Sequence, residues 1–360
     1  MSGRTVLVGM SGGVDSAVAA ALLVEQGYRV IGATLKIWEG ENDPDAAWHE
    51  RSCCKVGLAR FAAEQLRIPY HVFDAREAFE QWVIEDFCHE YAEGKTPNPC
   101  VRCNALIKFD HLLRHASDLG ADFIATGHYV RIEPEAGGGG FRLKKGLDSG
   151  KDQSYFLYRL NQETLGRTLF PLGEMRKERV WEKARALGLP VEELRESQEV
   201  CFVNRDGYQE FVAARHPASV RPGNMVTPEG NPLGTHGGIA FYTVGQRRGL
   251  GVSTGERRYV VRLNTERNEV VLGSQEDLLK RELVAADVHW IGEDPFHRNA
   301  KEVRLSARIR YRSEAADALL SVMGDRSVHV TFQEPQRAVA PGQSVVFYRD
   351  DQVLGGGIIL

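Results

Sequence analysis

The 360-residue sequence has little cysteine, no long apolar run and no excess of positive charge. Six cysteines, at positions 53, 54, 88, 100, 103 and 201, are too few to staple a chain of this length. That excludes a disulfide-scaffolded secreted fold, and in a reducing compartment they are expected as thiols, metal ligands or catalytic groups. No stretch of about 18 apolar residues occurs, and the N-terminus shows no basic-then-apolar leader. No membrane partner is therefore expected, and a cytoplasmic location is. A formal net charge of −4 excludes a global basic field for nucleic acid. Charge is locally uneven, however. Arg142, Lys144, Lys145 and Lys151 cluster, as do Arg176, Lys177, Arg179, Lys183 and Arg185. Arg247, Arg248, Arg257 and Arg258 form a third group, and Arg304, Arg308, Arg310 and Arg312 a fourth. Any one group reads as a solvated face; four spread along the chain are compatible with an extended basic track. There is no internal repeat and no long low-complexity segment, and the length suits two or three domains.

What is present begins with Ser11-Gly12-Gly13-Val14-Asp15-Ser16. It follows the apolar run Thr5–Gly9, read as a buried strand, and precedes the Ala-rich stretch 17–26, read as a helix stopped by Gly27. Strand, glycine-rich turn and helix N-terminus together converge backbone N–H groups on an anion. Ser11 and Ser16 add hydroxyl donors. A Walker A loop needs Lys directly after its last Gly and then Ser or Thr, but here Val14 and Asp15 occupy that space. The cation that grips β- and γ-phosphates is missing, which argues against γ-phosphoryl transfer. An acid, Asp15, stands instead where Mg²⁺ on the phosphates would be held. The pattern resembles the PP-loop of the N-type ATP pyrophosphatases, which cleave between the α- and β-phosphates and leave an adenylated substrate.

Around this loop the first half alternates strands and helices. Strands are expected at Arg29–Leu35, Tyr70–Phe73 and Phe123–Thr126, and helices at Cys53–Leu66, Glu77–Ala92, Asn104–Leu119 and Lys177–Leu187. The polar stretch Glu39–Arg51 reads as a mobile loop, and Gly137–Gly140 as the tip of a hairpin. The alternation predicts an α/β fold with a parallel sheet, ligands binding beyond the carboxyl ends of its strands. Residues 9–16 (Gly9, Met10 and the loop), Leu35 and Thr126-Gly127-His128 then share one rim, within reach of a single nucleotide. From about residue 205 short apolar alternations dominate, at Ile239–Val244, Tyr259–Leu263, Glu269–Leu272, Val303–Arg310, Val328–Phe332, Val345–Tyr348 and Val353–Ile359. These predict β-rich modules, a small linking domain and then a barrel. The expected boundaries are 1–204, 205–275 and 276–360.

The second informative stretch is 94–104, Gly-Lys-Thr-Pro-Asn-Pro-Cys-Val-Arg-Cys-Asn. Two prolines stiffen its entry. Cys103 is expected at the start of the following helix, where the dipole favours a thiolate. Cys201 is isolated in a polar loop. Cys88 reads as a small buried hydrophobe, and Cys53 and Cys54 as filler at a helix start. For Cys100, Cys103 and Cys201 three readings stay open: part of a zinc site, three ligands of an iron–sulfur cluster, or sulfur transfer between two thiols.

Five motifs occur together and in order: Ser-Gly-Gly-Val-Asp-Ser at 11–16; Thr96-Pro97-Asn98-Pro99 with Cys103-Asn104; Ala125-Thr126-Gly127-His128-Tyr129; Lys151-Asp152-Gln153-Ser154-Tyr155; and Gly245-Gln246-Arg247-Arg248-Gly249-Leu250. With Leu354-Gly355-Gly356-Gly357 near the end, the chain resembles the tRNA-specific 2-thiouridylases of the MnmA family over nearly its whole length. The resemblance implies an N-terminal ATP pyrophosphatase domain, a small central domain and a C-terminal β-barrel. It also implies ATP-dependent replacement of the wobble-uridine 2-oxygen of tRNA by sulfur. Under it, Gly9, Met10, Ser11, Gly12, Gly13, Val14, Asp15, Ser16, Leu35 and Gly127 bind ATP with Mg²⁺. Cys201 carries a persulfide received from a sulfur-donor protein, and Cys103 is the nucleophile that releases the sulfur, leaving a Cys103–Cys201 disulfide. Asn98, Pro99 and Cys100 line the target-base pocket. His128, Lys151, Asp152, Gln153, Tyr311, Arg312 and Gln343 touch tRNA. Some family members carry Asp where this chain has Cys100, and a third thiol there keeps the cluster-dependent variant of the reaction in view. Two rivals outside the family are another adenylating synthetase and a non-catalytic RNA-binding protein. The first leaves the cysteines unexplained, and the second is tested by replacing Cys103.

Overall fold

The apolar run at Val6-Leu7-Val8 becomes the middle of a sheet because all three residues are fully buried, with helices able to cover both faces. The computed structural model describes residues 3–38, 55–135, 137–189, 200–203, 207–252, 255–296, 300–324 and 326–360. Cys53, Cys54, the expected loop at 39–51 and residues 190–199 lie outside them. The chain divides into two compact units. The first comprises Met1–Val83, Cys100–Phe202 and Asp351–Leu354; the second comprises Ile84–Pro99, Val203–Asp350 and Gly355–Leu360.

The first unit holds β1 (Thr5–Gly9), β2 (Arg29–Lys36), β3 (Tyr70–Asp74), β4 (Phe123–Ala125), β5 (Val130–Pro134), β6 (Phe141–Lys145) and β7 (Thr168–Leu169). The order β3-β2-β1-β4-β7 forms a sheet, parallel at every pairing. Strand order reverses direction at β1, and that reversal opens a crevice at the carboxyl edge where β1 runs into the glycine loop. The helix Val14–Glu25 follows at once. Its residues Ala17, Ala19, Ala20 and Ala21 are buried, and their small size and high helix propensity suit close packing on the helices Val56–Gln65 and Lys177–Ala186. β5 and β6 form an antiparallel hairpin, and Gln352-Val353 pair with Lys144 and Leu143 on β6.

The second unit holds β8 (Gly223–Val226), β9 (Pro232–His236), β10 (Tyr259–Asn264) and β11 (Glu269–Gly273), ordered β10-β11-β8-β9. A small core of Met225, Val260, Val270 and Leu272 lies beneath this sheet. Then come β12 (Leu279–Trp290), β13 (Glu302–Arg308), β14 (Ala316–Gly324), β15 (Ser327–Arg337), β16 (Ser344–Arg349) and β17 (Gln352–Ile359), whose residues from Gly355 on belong to this unit. They run β12-β15-β14-β13-β16-β17, and β17 pairs back onto β12 to close a six-stranded antiparallel barrel. Closure removes the exposed edges. One expected strand, Ile239–Val244, is instead a 3₁₀ turn at Ile239–Phe241 whose buried Ile239 joins the small domain's core. No helix among the described residues is long and apolar enough to cross a membrane.

Candidate active site

The glycine loop sits between β1 and the first turn of its helix. Gly12 has φ +78°, and a Cβ there would lie 2.3 Å from the Lys55 carbonyl oxygen, so the segment leading into the Val56–Gln65 helix fits only against glycine. The Ser16 hydroxyl organises the turn. It donates to the Gly13 carbonyl at 3.0 Å and accepts from the Ser11 amide at 3.2 Å. Met10 and Val14 are buried supports, and Met10 is fixed by its amide on the Ala33 carbonyl at 2.7 Å. Leu35 lies two residues further along β2, on the same face as Ala33, and is buried. A recess beside the loop is lined by Met10, Gly12, Gly13, Ser16, Ala17, Leu58, Ala59, Ala62 and Leu189, an apolar surface adjoining polar donors.

Asp15 occupies the first helical turn, where the dipole favours a carboxylate. Two groups from distant sequence meet its Oδ1. The Tyr129 hydroxyl donates at 2.6 Å and the Lys177 ammonium at 2.7 Å. Lys177 stood in the sequence as one member of a basic cluster, read as a solvated face. Its side chain is in fact only 8% exposed, flanked by the rings of Tyr129 and Trp181 at 5.7 and 4.9 Å. No local signal marks it, because its partner is 162 residues away.

Asp148 also escaped the sequence reading. One of its carboxylate oxygens accepts from the Lys177 amide at 2.9 Å, capping that helix, and the other from the Gly150 amide at 3.0 Å. Gln153 exchanges two hydrogen bonds with the Tyr129 backbone, at 3.0 and 3.2 Å. The segment 148–153 thus braces both groups that hold Asp15.

Gly127 connects the loop to the thiols. A Cβ on it would lie 2.7 Å from the Asp15 carbonyl carbon and 2.8 Å from the Ser16 nitrogen, so the Thr126-Gly127-His128 turn lies directly on the loop. The next residue, His128, shares a 2.7 Å hydrogen bond between its Nδ1 and the Thr126 hydroxyl, stacks at 5.9 Å on Phe109, and meets Phe170 edge-on. Burial, with the Lys108 ammonium nearby, drives its pKa down to about 3, so the ring is neutral at physiological pH.

Phe109 and Lys108 belong to the helical run that carries the thiols. The run starts at Pro99, not at Asn104 as expected: Pro99–Arg102 is α-helical, Cys103–Lys108 is π-helical and Phe109–Asp118 is α-helical again. Proline is well suited to a first helical position because its missing N–H would be unpaired there anyway. Cys103 therefore lies one turn inside the helix, buried at 6% exposure, and the helix-end argument for a thiolate there does not hold. Cys100 is exposed, yet crowding by protein pushes its thiol up to about 11. The Lys108 charge acts against that shift, and Cys201 acts with it. That mutual influence places Cys201 near Cys100. Phe202 anchors the Cys201 segment, buried at 2% exposure against Phe79 at 5.6 Å and Trp38 at 6.5 Å. The described cysteines, Cys88, Cys100, Cys103 and Cys201, are thiols with no disulfide between them. Beside Cys103, the Asn104 amide reaches the Phe156 carbonyl at 3.5 Å, while its Oδ1 is buried with no hydrogen-bond partner. Such exceptions to polar pairing ask for a functional explanation.

The remaining expected contact residues fall in both units. In the first, Asp152 is buried and its carboxylate accepts from the Gly146 and Ser154 amides and the Ser154 hydroxyl, which shapes the loop presenting Lys151 and Gln153. In the second, Gln343 donates to the Thr96 and Pro97 carbonyls at 3.0 and 3.3 Å and so fixes the approach to Asn98 and Pro99. Arg308 lies 5.6 Å from the Tyr311 ring and Arg312 is exposed.

Three family models match the chain: a tRNA methyl transferase HUP domain over residues 4–205, a tRNA methyl transferase PRC-barrel domain over 209–274, and an aminomethyltransferase beta-barrel domain over 280–359. The tRNA-specific 2-thiouridylase MnmA of Acetivibrio thermocellus is 47% identical over 362 residues, 100% of each chain. That of Clostridium beijerinckii is 46% identical over 359 residues, 99% of this chain and 98% of its own. That of Heliobacterium modesticaldum is 49% identical over 362 residues, 99% of this chain and 92% of its own. With the domain matches in this order and full-length identity at this level, the chain belongs to the MnmA family of tRNA-specific 2-thiouridylases.

Proposed function

We propose that this chain performs ATP-dependent 2-thiolation of uridine in tRNA, the wobble uridine being the target. The observation that carries the reading is the bridge within the first unit. Gly127 lies on the phosphate loop and His128 on the thiol-bearing helix, so activation and sulfur chemistry share one framework. Uracil O2 is a poor leaving group until adenylated, and a loop without the Walker lysine suits α,β-cleavage of ATP. A base in the anticodon stack has to swing out to reach the loop. Asn98, Pro99 and Cys100 would receive it. Cys100, protonated at neutral pH, adds no charge to that pocket. Lys151, Gln153 and His128, with Tyr311, Arg312 and Gln343, would meet the RNA, while Asp152 acts through the loop it shapes.

The sulfur steps follow from two thiols. A persulfide on Cys201, delivered by a carrier protein, is attacked at Cys201 Sγ by the Cys103 thiolate. The new Cys103–Cys201 bond expels hydrosulfide, which adds at C2 of the adenylated base, and AMP leaves with the former oxygen. The disulfide then needs a two-electron reduction before the next turnover. For Mg²⁺, Asp15 is a fitting single carboxylate: its Oδ1 is engaged by Tyr129 and Lys177, and phosphates and waters would complete the shell. An iron–sulfur cluster fits less well. No three Cys, His, Asp or Glu side chains among the described residues are grouped to hold a metal, so no step is routed through one.

The test is reconstitution with tRNA, ATP and a persulfide donor, following pyrophosphate release and 2-thiouridine by mass spectrometry. tRNA-dependent pyrophosphate release with 2-thiouridine formation is expected. Pyrophosphate release indifferent to tRNA would point to the synthetase reading. Iron and acid-labile sulfide at stoichiometric level in anaerobic protein, required for thiolation, would overturn the persulfide route.

A further inference from the structure

Lys177 is a costly residue to bury, and its position gives a reason for it. A lone buried ammonium loses its hydration, and an ion pair in the interior is generally no more stabilising than apolar residues of the same volume. Here the cation is only 8% exposed, while its partner Asp15 is 35% exposed. The pair therefore has a closed side, made by the rings of Tyr129 and Trp181, and an open side at the phosphate loop. Its backbone is pinned as well, since the Lys177 amide is held by the Asp148 carboxylate at 2.9 Å. A long, flexible side chain is thus aimed at one place.

The loop needs a cation at that place. The sequence supplies Val14 and Asp15 where a phosphate-gripping loop carries its lysine. A helix N-terminus offers only about half a positive charge, and the Asp15 carboxylate beside it repels phosphate. We infer that Lys177 is the phosphate-gripping cation of this loop, supplied from 162 residues downstream, and that it binds the pyrophosphate portion of ATP rather than the AMP portion. In the unliganded loop it neutralises Asp15. With nucleotide bound, its ammonium reaches the β- and γ-phosphate oxygens. In the adenylation step uracil O2 bonds to the α-phosphorus, the bond from that phosphorus to the α,β-bridging oxygen breaks, and pyrophosphate leaves with the electron pair. Lys177 would neutralise the charge gathering on that leaving group.

The inference rests on the proposed ATP chemistry, so its test is a binding measurement that needs neither tRNA nor thiols. Pyrophosphate and AMP are titrated separately, with Mg²⁺ present, into wild-type protein and into Lys177→Met, Lys177→Arg and Asp15→Asn. For Lys177→Met, pyrophosphate affinity should fall at least about ten-fold, the scale of one charge-assisted hydrogen bond, with AMP affinity within about two-fold. Lys177→Arg should recover most of the loss. In metal-free buffer Asp15→Asn, which keeps the ammonium and removes the repelling carboxylate, should bind pyrophosphate at least as tightly as wild type. Equal losses for pyrophosphate and AMP in Lys177→Met, or, in metal-free buffer, a loss of pyrophosphate affinity in Asp15→Asn that matches the loss in Lys177→Met, would mean that the pair only holds the loop together, and would overturn the inference. If Lys177→Met does not fold, the Lys177→Arg and Asp15→Asn titrations decide the matter alone. Wild-type protein that binds neither pyrophosphate nor ATP would instead overturn the ATP reading itself.

Discussion

The phosphate loop and the thiol-bearing helix belong to one unit but are built by opposite means. Six consecutive residues make the loop, and its internal hydrogen bonds span at most five positions, from Ser11 to Ser16. The thiol site is assembled from afar. Cys100 and Cys103 lie on a helix with a π-helical middle, and Cys201 arrives on a segment anchored by Phe202. A locally made site is robust to changes elsewhere, whereas an assembled one is exposed to every contact that positions it. The two should therefore fail separately.

The sharpest separation is expected from Cys103→Ser and Cys201→Ser. Each should lower 2-thiouridine formation by more than about a thousand-fold, because no other nucleophile replaces the lost thiolate. tRNA-dependent pyrophosphate release, measured in the same reactions, should continue. A parallel collapse of both signals would show that the thiols also shape the loop.

Gly127→Ala breaks the pair from the other side. Its methyl would meet Asp15 backbone atoms at 2.7 and 2.9 Å, and backbone cannot rotate away as a side-chain tip can. Displacing the loop by a fraction of an ångström should slow pyrophosphate release about a hundred-fold. Alkylation rates of Cys103 and Cys201 in the free protein should stay as in wild type. Altered thiol reactivity would mean that the 126–128 turn transmits strain through His128 into the helix.

How far each site could be read from sequence follows the same division. The loop, the parallel sheet and the Lys177–Ala186 helix are nearly as expected, because apolar runs, small residues and glycine breaks are local signals. The start of the thiol helix was misplaced by five residues, since Pro97 and Pro99 read equally well as loop stiffeners and Pro99 as a helix opener. The strands Leu279–Trp290 and Ala316–Gly324 were not expected at all. Bulges between Lys280 and Glu282, between Ala286 and His289, and between Val322 and Gly324 break the two-residue alternation that marks a strand. Lys177, Tyr129 and Asp148 were unreadable for a different reason: their role exists only where distant segments meet.

A milder perturbation is expected from Phe202→Ala. Removing a ring buried against Phe79 and Trp38 should cost about 3–5 kcal/mol locally. That energy tethers the segment next to Cys201 rather than the sheet. Thiolation should fall several-fold as Cys201 leaves its position, with pyrophosphate release and the main melting transition little changed. Hydrogen exchange confined to residues around 200–203 would support this. A global loss of stability would place Phe202 in the core proper and weaken the contrast between the two sites.

The smallest effect is also the least intuitive, because exposure and reactivity part company at Cys100. The residue is exposed, but protein around its sulfur desolvates the thiol and pushes it up to about 11, so at neutral pH it is almost entirely protonated, and only the thiolate attacks an alkylating reagent. Iodoacetamide labelling followed by peptide mass spectrometry should find Cys100 slow at pH 7–8, its rate still rising with pH above 9. Lys108 lowers this pKa, so Lys108→Met should push it higher and slow labelling further. The same substitution acts oppositely on charge at His128, whose pKa the Lys108 ammonium depresses, and should raise it toward 6.5. The sign for stability follows from proton uptake. Between about 3 and 6.5 the unfolded imidazole binds a proton that the folded one refuses, so His128 contributes a loss of stability as pH falls through that window. Lys108→Met should shrink that window from below. Fast labelling of Cys100 at pH 7 would mean that Lys108 outweighs desolvation there. Cys100, rather than the buried Cys103, would then be the reactive group of the helix.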